Sequence, residues 1–352
     1  MSSELARAIL ALSLGALPVL VLLSFLILLD SYKLLRPRSA AYLVSAGALA
    51  AAASLVANLS LVRLAGIHPY FVARYVAPLF EEALKGAYVV YLLRTKRIAF
   101  LVEAAIAGFA VGAGFAAVEN VAEFVILPEQ TMPLWLIRGC GTAVMHGTVT
   151  AIMAVSTQQI RERHEVAVLA AFLPGWVAAA ALHSVFNHFF LSPGLTAVLL
   201  LAALPLLFLL IFHLGEKGTR TWLGTGFDTD SELLELIGSG AVSDSRVGRY
   251  LAALKTRFPA TVVADMLCLL RLRVELSIHA KGLLLMRQSG FAVPPDPRIG
   301  ERFAELAYLE GSIGPTGLMA LAPVLNMSDR ELWQLHMIRG SRRRGSTLGR
   351  GT

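Results

Sequence analysis

The first 214 residues are dominated by long apolar runs separated by short polar or basic segments. A membrane-spanning helix needs about 20 mostly apolar residues, and seven segments meet that requirement. They cover residues 8–29, 40–64, 74–93, 99–126, 132–157, 166–191 and 194–214. The first run is too long for the apolar part of a signal peptide and is followed by a basic stretch typical of a stop-transfer flank. The pattern predicts about seven transmembrane helices.

The remaining residues show helical periodicity without apolar runs of that length. Helices are predicted near residues 231–237, 245–257, 260–288, 298–311, 316–325 and 329–338. The Gly-rich segment 224–226 leads to 228–231, a predicted N-cap for the first of these helices, and Ser328 is the predicted cap of the last. A turn is predicted at 291–297. This part of the chain reads as an all-α soluble domain over 215–338, with a basic, Gly/Ser-rich tail at 339–352.

Composition supports this division. The chain is 56% hydrophobic and 16% charged, whereas an average soluble domain carries about 25% charged residues. Residues 1–214 hold 13 Lys/Arg and 10 Asp/Glu, and the shorter segment 215–352 holds 18 and 14. The predicted fold class is therefore an all-α polytopic membrane bundle followed by an all-α soluble domain. Cys140 and Cys268 are too few for a disulfide framework or a four-cysteine zinc site.

Basic residues follow the first, third, fifth and seventh predicted spans. The positive-inside rule then places the N-terminus outside and the C-terminal domain in the cytoplasm. The tail could contact anionic lipid, at about 1 kcal/mol per basic residue near the surface. Nucleic acid is not an expected partner, because residues 215–338 hold 13 basic and 14 acidic side chains.

Ionisable and amide side chains interrupt four of the spans. They are Glu81, Glu82 and Lys85 in the third, Glu119 and Asn120 in the fourth, His146 in the fifth, and His183 and Asn187 in the sixth. Charges inside a bilayer are costly, so their default interpretation is functional. At 1.5 Å per residue, most of them lie roughly 10–13 Å below the outer end of their span, and His146 about 20 Å. We expect one polar layer in the outer half of the membrane.

Helical spacing also predicts local contacts within this layer. Glu81 can reach Lys85 at i,i+4, Phe115 lies one turn from Glu119, and His183 shares a face with Asn187. Structural interpretations stay open for some of these residues. Glu82 and Lys85 could form an ion pair that only fixes packing, and His146 could make a helix–helix hydrogen bond. Glu103, Glu123 and Arg138 are expected to be structural, and Gly108 with Gly112 to allow close helix packing.

Several routes to peptide hydrolysis are excluded by the sequence. His-Glu-x-x-His is missing, Asp30 is the single aspartate of the first 214 residues, and there is no Gly-x-Ser-x-Gly. Ser184 points about 100° away from its neighbour His183 on a helix. A carboxylate base with imidazole and amide donors is the remaining chemistry.

Four motifs in order carry a family resemblance. Glu-Glu-x-x-Lys at 81–85, Phe-x-x-x-Glu-Asn at 115–120, His146 and His-x-x-x-Asn at 183–187 resemble the PrsW family of glutamic-type intramembrane proteases, which is related to the type II CAAX prenyl proteases and Abi proteins. The resemblance covers about residues 1–214. CAAX proteases carry histidine where Glu119 stands here, and His146 is the candidate substitute.

The resemblance implies a CAAX-protease-like membrane fold in the bacterial cytoplasmic membrane. It also implies cleavage of a single-pass membrane protein, such as an anti-sigma factor, near the extracytoplasmic face. The predicted depth of the polar layer, obtained from helix geometry, agrees with that position.

The resulting mechanistic hypothesis assigns roles to nine residues. Glu81 or Glu82 activates a water, and Glu119 shares a proton with that base or positions the water. His183 and Asn187 donate to the oxyanion, and His146 orients the site or protonates the leaving amine. Lys85 and Asn120 hold the glutamates, and Phe115 supports Glu119 from one turn away. No cofactor is expected, although Glu119, His146 and His183 could instead bind zinc.

Two other functions compete with the protease. A transporter could line its pathway with the same side chains, but such proteins more often show an inverted repeat, and none is evident. A non-catalytic scaffold or receptor could retain a lapsed protease fold.

Overall fold

The computed structural model describes residues 2–127, 130–291, 296–325 and 328–339. Over those ranges the chain is helical and contains no strand. It divides into two compact units, Met1–Glu216 and Lys217–Thr352. The predicted all-helical fold class is confirmed for the part of the chain that the structure describes.

Each predicted span of the first unit is a helix or a run of helical segments. The helices are α1 (Ser2–Leu29), α2 (Pro37–Arg63), α3 (Pro69–Phe71), α4 (Ala77–Arg94), α5 (Leu101–Ile126), α6 (Met132–Ile137), α7 (Ala143–His164), α8 (Val168–Asn187) and α9 (Pro193–Gly238). Two π-helical segments, Val72–Val76 and Arg138–Thr142, lead directly into α4 and α7.

The described helices make the chain an integral membrane protein. Five of them are long and apolar enough to span a bilayer: α1, α2, α5, α8 and α9. The third and fifth predicted spans do not belong to this set, because α4 and α7 carry several charged and polar side chains. Helix α4 carries Glu81, Glu82, Lys85 and Arg94, and α7 carries His146 together with several threonines and glutamines. A total of seven spans therefore stays a prediction.

Helix α5 is the centre of the first unit. It is buried continuously from Val102 to Ala116, and glycines let its neighbours approach closely. A Cβ at Gly112 would overlap the backbone carbonyl of His146, and one at Gly108 would lie 2.6 Å from the carbonyl oxygen of Thr150. The predicted close packing at Gly108 and Gly112 is confirmed, and it is the contact that places His146 against α5.

The second unit is built from the C-terminal part of α9, a 3₁₀ turn at Ala241–Asp244 and four further helices. They are α10 (Arg246–Leu254), α11 (Ala260–Gln288), α12 (Ile299–Leu321) and α13 (Asp329–Arg339). The prediction for α11 matches the observed bounds. The N-cap at Ser328 is confirmed, because its Oγ accepts a hydrogen bond from the backbone N–H of Glu331 at 3.3 Å.

Of two predictions made at glycines, one is wrong and one is confirmed. Helix α9 continues through 224–226, so neither the cap at 228–231 nor a separate helix at 231–237 exists. Gly226 serves close packing instead, since a Cβ there would lie 2.8 Å from Lys281 Nζ. The prediction of two helices at 298–311 and 316–325 is confirmed, because α12 consists of two helical segments separated by non-helical backbone at Gly314, whose φ of 70° suits a residue without a Cβ. The second segment ends at Leu321 and not at 325.

Other predictions fall partly outside the described residues. The turn at 291–297 includes 292–295, and the basic tail lies beyond Arg339, so neither is tested in full. The domain assignment 1–214, 215–338 and 339–352 stays a prediction.

Candidate functional site

Helix α4 supplies a buried ion pair that defines the centre of the site. Lys85 Nζ donates to Glu82 Oε1 at 2.5 Å, and both side chains are fully buried. The predicted i,i+4 contact of Lys85 with Glu81 is replaced by this i,i+3 contact, because Glu82 and Lys85 lie on the inward face of the helix. Lys85 Nζ also lies 4.4 Å from the centre of the Phe115 ring, a cation–π geometry that stabilises a buried ammonium. Phe115 therefore supports Lys85.

His146, from α7, lies between a cation and an anion. Lys85 Nζ is 3.0 Å from His146 Nδ1, and Glu119 Oε2 is 2.6 Å from His146 Nε2. Because an ammonium only donates, Nδ1 acts as the acceptor and the ring hydrogen resides on Nε2. His146 is thereby held as the neutral Nε2–H tautomer, with Nε2 against the Glu119 carboxylate.

His183, from α8, bridges the two adjacent glutamates. Its Nδ1 lies 2.8 Å from Glu82 Oε1, and its Nε2 lies 3.8 Å from Glu81 Oε2. A carboxylate only accepts, so the hydrogen is on Nδ1 and a lone pair of Nε2 faces Glu81. The distance of 3.8 Å is too long for a direct hydrogen bond. Glu81 and His183 therefore face each other across a short gap.

The Glu119 side of the site is anchored by Arg138. Its Nη2 lies 3.5 Å from Glu119 Oε1 and its Nη1 3.5 Å from Glu123 Oε1. Its Nε donates to Asn120 Oδ1 at 3.1 Å, and Asn120 Nδ2 donates to the Gly15 carbonyl at 3.0 Å. The prediction that Asn120 holds the glutamates is corrected: Asn120 holds Arg138 and ties it to α1. Glu119 keeps 35% of its side chain exposed.

The end of α8 is attached to the π-helical segment before α4. Asn187 Nδ2 donates to the Ala73 carbonyl at 2.9 Å, and Ser184 Oγ donates to the Arg74 carbonyl at 2.6 Å. Asn187 thus lies one turn beyond His183 on the same helix, with one amide hydrogen committed to the backbone. Its predicted contact with a reacting oxyanion stays a prediction.

Three polar residues of the site escaped the sequence analysis. Ser54 Oγ and Asn58 Nδ2, both on α2, donate to Glu81 Oε1 at 3.3 and 3.0 Å. Thr150 Oγ1 lies 3.4 Å from Glu82 Oε2. The available signal was the i,i+4 pair of polar residues at 54 and 58 within an apolar span, since polar side chains in membrane helices tend to hydrogen-bond across helices.

The donors also fit a metal ion. Glu81, His146 and His183 can each offer one ligand atom, and these atoms all lie within 4.8 Å of one another. Two imidazoles and a carboxylate are a typical catalytic zinc set, and Glu82 on His183 Nδ1 is the outer carboxylate that orients such a ligand. The predicted set contained Glu119 in place of Glu81. Glu119 is instead engaged by Arg138 and by the Nε2 of His146.

Comparison with known proteins identifies the family. Residues 36–212 match the family model described as PrsW family intramembrane metalloprotease. No curated protein and no solved structure matches the chain. The matched region covers half of the chain and contains the glutamates, histidines and lysine described above. The protein is therefore a member of the PrsW family of intramembrane proteases.

Proposed function

We propose that this chain is an intramembrane endopeptidase in which Glu81 is the general base. The observation that carries the proposal is the 3.8 Å gap between Glu81 Oε2 and His183 Nε2. Both atoms are acceptors, so a water that lies to the side of the gap, within hydrogen-bond distance of both, can donate one hydrogen to each. Glu82 is a poorer candidate for the base, because Lys85 and His183 already bind its Oε1 and Thr150 lies against its Oε2.

The proposed reaction moves one proton through Glu81. Glu81 Oε2 takes a proton from the water as the water oxygen bonds to the scissile carbonyl carbon. The carbonyl oxygen becomes an oxyanion, which the second amide hydrogen of Asn187 stabilises. Glu81 then returns the proton to the amide nitrogen as the C–N bond breaks, which leaves a carboxyl group and an amine. This single-carboxylate route uses Glu81 first as base and then as acid.

The remaining charged groups position His183 and Glu81. Lys85 balances the charge of Glu82, and Glu82 fixes the His183 tautomer that turns Nε2 toward the gap. His146 packs against His183 with perpendicular rings 4.8 Å apart, and Glu119 and Lys85 hold His146 in place. Arg138 neutralises Glu119. In this scheme His146 and Glu119 orient the site rather than transfer protons.

The proposed substrate is a single-pass membrane protein cut near the outer face of the membrane, with anti-sigma factors as the type of substrate that the family resemblance suggests. We propose that α4 and the α6–α7 segment also cross the bilayer. The chain then has seven spans, an outer N-terminus and a cytoplasmic C-terminal domain in the bacterial inner membrane. The relationship to CAAX proteases and Abi proteins belongs to the same proposal.

A metal-dependent peptidase is the second candidate, and the triad of Glu81, His146 and His183 favours it. A zinc ion bound there would polarise the scissile carbonyl and acidify a water. In that case His146 releases one of its two present contacts, with Lys85 or with Glu119. The nearby Lys85 ammonium, 3.0 Å from His146 Nδ1, disfavours a second cation, so the metal-free route is our first choice.

The test is cleavage by the purified full-length protein in liposomes. The panel consists of single-pass membrane proteins from the same genome, assayed with and without a chelator. We expect Glu81→Gln to lower kcat by a factor on the order of 10²–10⁴, and cleavage to persist with chelator.

Other outcomes lead to different conclusions. Loss of activity with chelator, restored by zinc, would favour the metal-dependent mechanism, with Glu81, His146 and His183 as ligands. Full activity of Glu81→Gln would remove Glu81 as base. Absence of cleavage across the panel, with a partner retained on the membrane unit, would favour the scaffold, and ion or solute flux would favour the transporter.

A further inference from the structure

Two side chains of α2 contact the oxygen of Glu81 that does not face His183. Asn58 Nδ2 donates to Glu81 Oε1 at 3.0 Å and to Ser54 Oγ at 3.2 Å, and Ser54 Oγ donates to the same Oε1 at 3.3 Å. Ser54 is buried, and Asn58 is partly buried. Oε1 therefore receives two hydrogen bonds from α2, and Oε2 is the oxygen left to face the gap.

This network fixes the orientation of the Asn58 amide. Its two N–H hydrogens go to Glu81 and Ser54, and the single hydroxyl hydrogen of Ser54 goes to Glu81. The opposite amide orientation would place two acceptor oxygens against each other, so the network itself decides which atom is nitrogen.

The carbonyl oxygen of Asn58 is left over. Asn58 Oδ1 is inaccessible to solvent and has no hydrogen-bond partner among the described residues. A buried acceptor without a donor is unfavourable, and such atoms in native structures call for an explanation, such as a ligand. Because Nδ2 of the same amide touches Glu81, Oδ1 lies beside the carboxylate that the proposed function makes the base. The donor that every peptide substrate brings to that place is a backbone N–H.

We infer that Asn58 has two roles in the active site. Its amide nitrogen, with Ser54, positions Glu81. Its carbonyl oxygen, which is covered in the substrate-free structure, becomes accessible when the substrate enters and then binds a backbone N–H of the substrate. This inference rests on the proposed function. It also narrows the substrate class. Inside a membrane helix each N–H is bonded to the carbonyl four residues earlier, and the free ones lie in the first turn. The substrate must therefore begin its helix, or unwind it, at the depth of Asn58.

The experiment compares matched α2 variants of the full-length protein. The substrate is a synthetic single-span peptide with the sequence of a panel member that the wild-type protein cleaves. The variants are Asn58→Ala, Ser54→Ala, Ser54→Thr and Ser60→Ala. Ser60 is the control, because its hydroxyl donates to the Val56 carbonyl of its own helix and has no other partner among the described residues. We expect Asn58→Ala and Ser54→Ala to lower kcat about tenfold, as for lost hydrogen bonds to a charged group. We expect Ser54→Thr to restore kcat and Ser60→Ala to leave it unchanged.

The substrate contact is tested by peptides that carry one N-methyl group at successive positions around the scissile bond. One position should slow wild type about tenfold in kcat/KM and should not slow Asn58→Ala any further. If the N-methyl group lowered kcat/KM equally in wild type and in Asn58→Ala, the partner of Oδ1 would be a water, and the proposed substrate contact would be wrong. Wild-type kcat in Asn58→Ala would overturn the positioning role.

A substrate-free measurement separates this inference from the proposed function. Dicyclohexylcarbodiimide, an apolar reagent, modifies protonated carboxyl groups in membranes, and mass spectrometry of the labelled protein reports modification at Glu81. Loss of hydrogen bonds that favour the carboxylate should speed labelling in Asn58→Ala and Ser54→Ala but not in Ser60→Ala. Faster labelling without cleavage of any panel peptide would support positioning while the proposed function fails. Unchanged labelling would overturn positioning, even if Glu81→Gln abolishes cleavage.

Discussion

Two buried lysines, one in each unit, both contact a carboxylate and lie near an aromatic ring, but their second polar neighbours differ. Lys85 contacts Glu82 at 2.5 Å and lies 4.4 Å from the Phe115 ring centre. Lys281 contacts Asp230 at 2.6 Å and lies 5.2 Å from the Trp222 ring centre. The second polar neighbour differs: it is the His146 imidazole for Lys85 and the Glu331 carboxylate, at 3.3 Å, for Lys281.

This difference separates a structural cluster from a chemical one. Around Lys281, two carboxylates share one ammonium, and Ser277 and Gln334 donate further hydrogen bonds to Asp230 or Glu331, so the cluster joins α9, α11 and α13. Around Lys85, the imidazole carries the contact onward to Glu119, and His183 leads to a gap beside Glu81. A buried charge alone is thus weak evidence for function, and the stronger evidence is the gap of 3.8 Å between two acceptor atoms of Glu81 and His183.

The largest expected effect comes from removing the membrane lysine. Lys85→Met leaves Glu82 buried without its cation, which should cost about 3–5 kcal/mol of unfolding free energy and abolish cleavage. In the double variant Glu82→Gln/Lys85→Met the uncompensated charge is gone, so we expect the fold to recover and activity to stay lost. Thermal unfolding in detergent and the cleavage assay measure the two properties. A double variant as unstable as Lys85→Met would contradict the ion-pair explanation.

The end of α8 offers a second comparison, between Asn187 and Ser184. Both side chains attach α8 to the π-helical segment, but only Asn187 retains a hydrogen for the oxyanion in the proposed reaction. Asn187→Ala should therefore lower kcat about 100-fold with little change in KM, whereas Ser184→Ala should lose about threefold, as for one neutral hydrogen bond. Steady-state kinetics of the two variants measure this difference. Equal losses of kcat would indicate that Asn187 only attaches α8 to the π-helical segment.

Glycines in the two units should respond in opposite directions to the same change. Gly112→Ala places a methyl group against the His146 backbone, so we expect a loss of about 1–3 kcal/mol from overpacking, together with lower activity. At Gly282, in α11, a Cβ would have no neighbouring atom within 4 Å outside the adjacent turns of its own helix. Gly282→Ala should stabilise its helix by up to about 1 kcal/mol. Hydrogen exchange, measured separately in each unit during thermal unfolding, reports both changes in stability. Stabilisation by Gly112→Ala would contradict the close packing of α5 and α7.

The smallest expected effect is a pH dependence confined to the second unit. Burial raises the pKa of Glu331 above its ordinary value, and the nearby Asp230 acts in the same direction. Between the ordinary and the raised pKa the folded state binds a proton that the unfolded state releases, so stability falls as pH rises through that range. Glu331→Gln should flatten this dependence and stabilise the unit at neutral pH. Hydrogen exchange over residues 217–339 at several pH values tests this, with wild type as reference.

Much of the fold could be predicted, because the number of apolar residues that span a bilayer and the period of a helix can both be read from short stretches of sequence. The bounds of α11 and the small-residue contact at Gly112 follow from such rules. The continuous passage of α9 through Gly226 could not be predicted, because a tertiary contact with Lys281 offsets the low helix propensity of glycine.

The candidate site was predictable to a similar degree. Residue types and depth pointed to Glu81, Glu82, His146 and His183. The pairing of Lys85 with Glu82 rather than with Glu81 depends on how α4 faces its neighbours, which spacing alone leaves open. Asn58 was not predicted, because its role depends on a hydrogen bond to Glu81, which lies on another helix.

The widened turn at Val72–Val76 has a consequence for the two adjacent glutamates. A π-helical turn holds one residue more than an α-helical turn, and each residue corresponds to about 100° of rotation. Winding the same residues Val72–Val76 as an α-helix would rotate α4 by about that angle relative to the segment before it. One of the two adjacent glutamates would then take the direction of its neighbour, and that neighbour would be turned away from the site. Backbone winding upstream of α4, and not chemical identity, decides which of two equal carboxylates is free to act as a base.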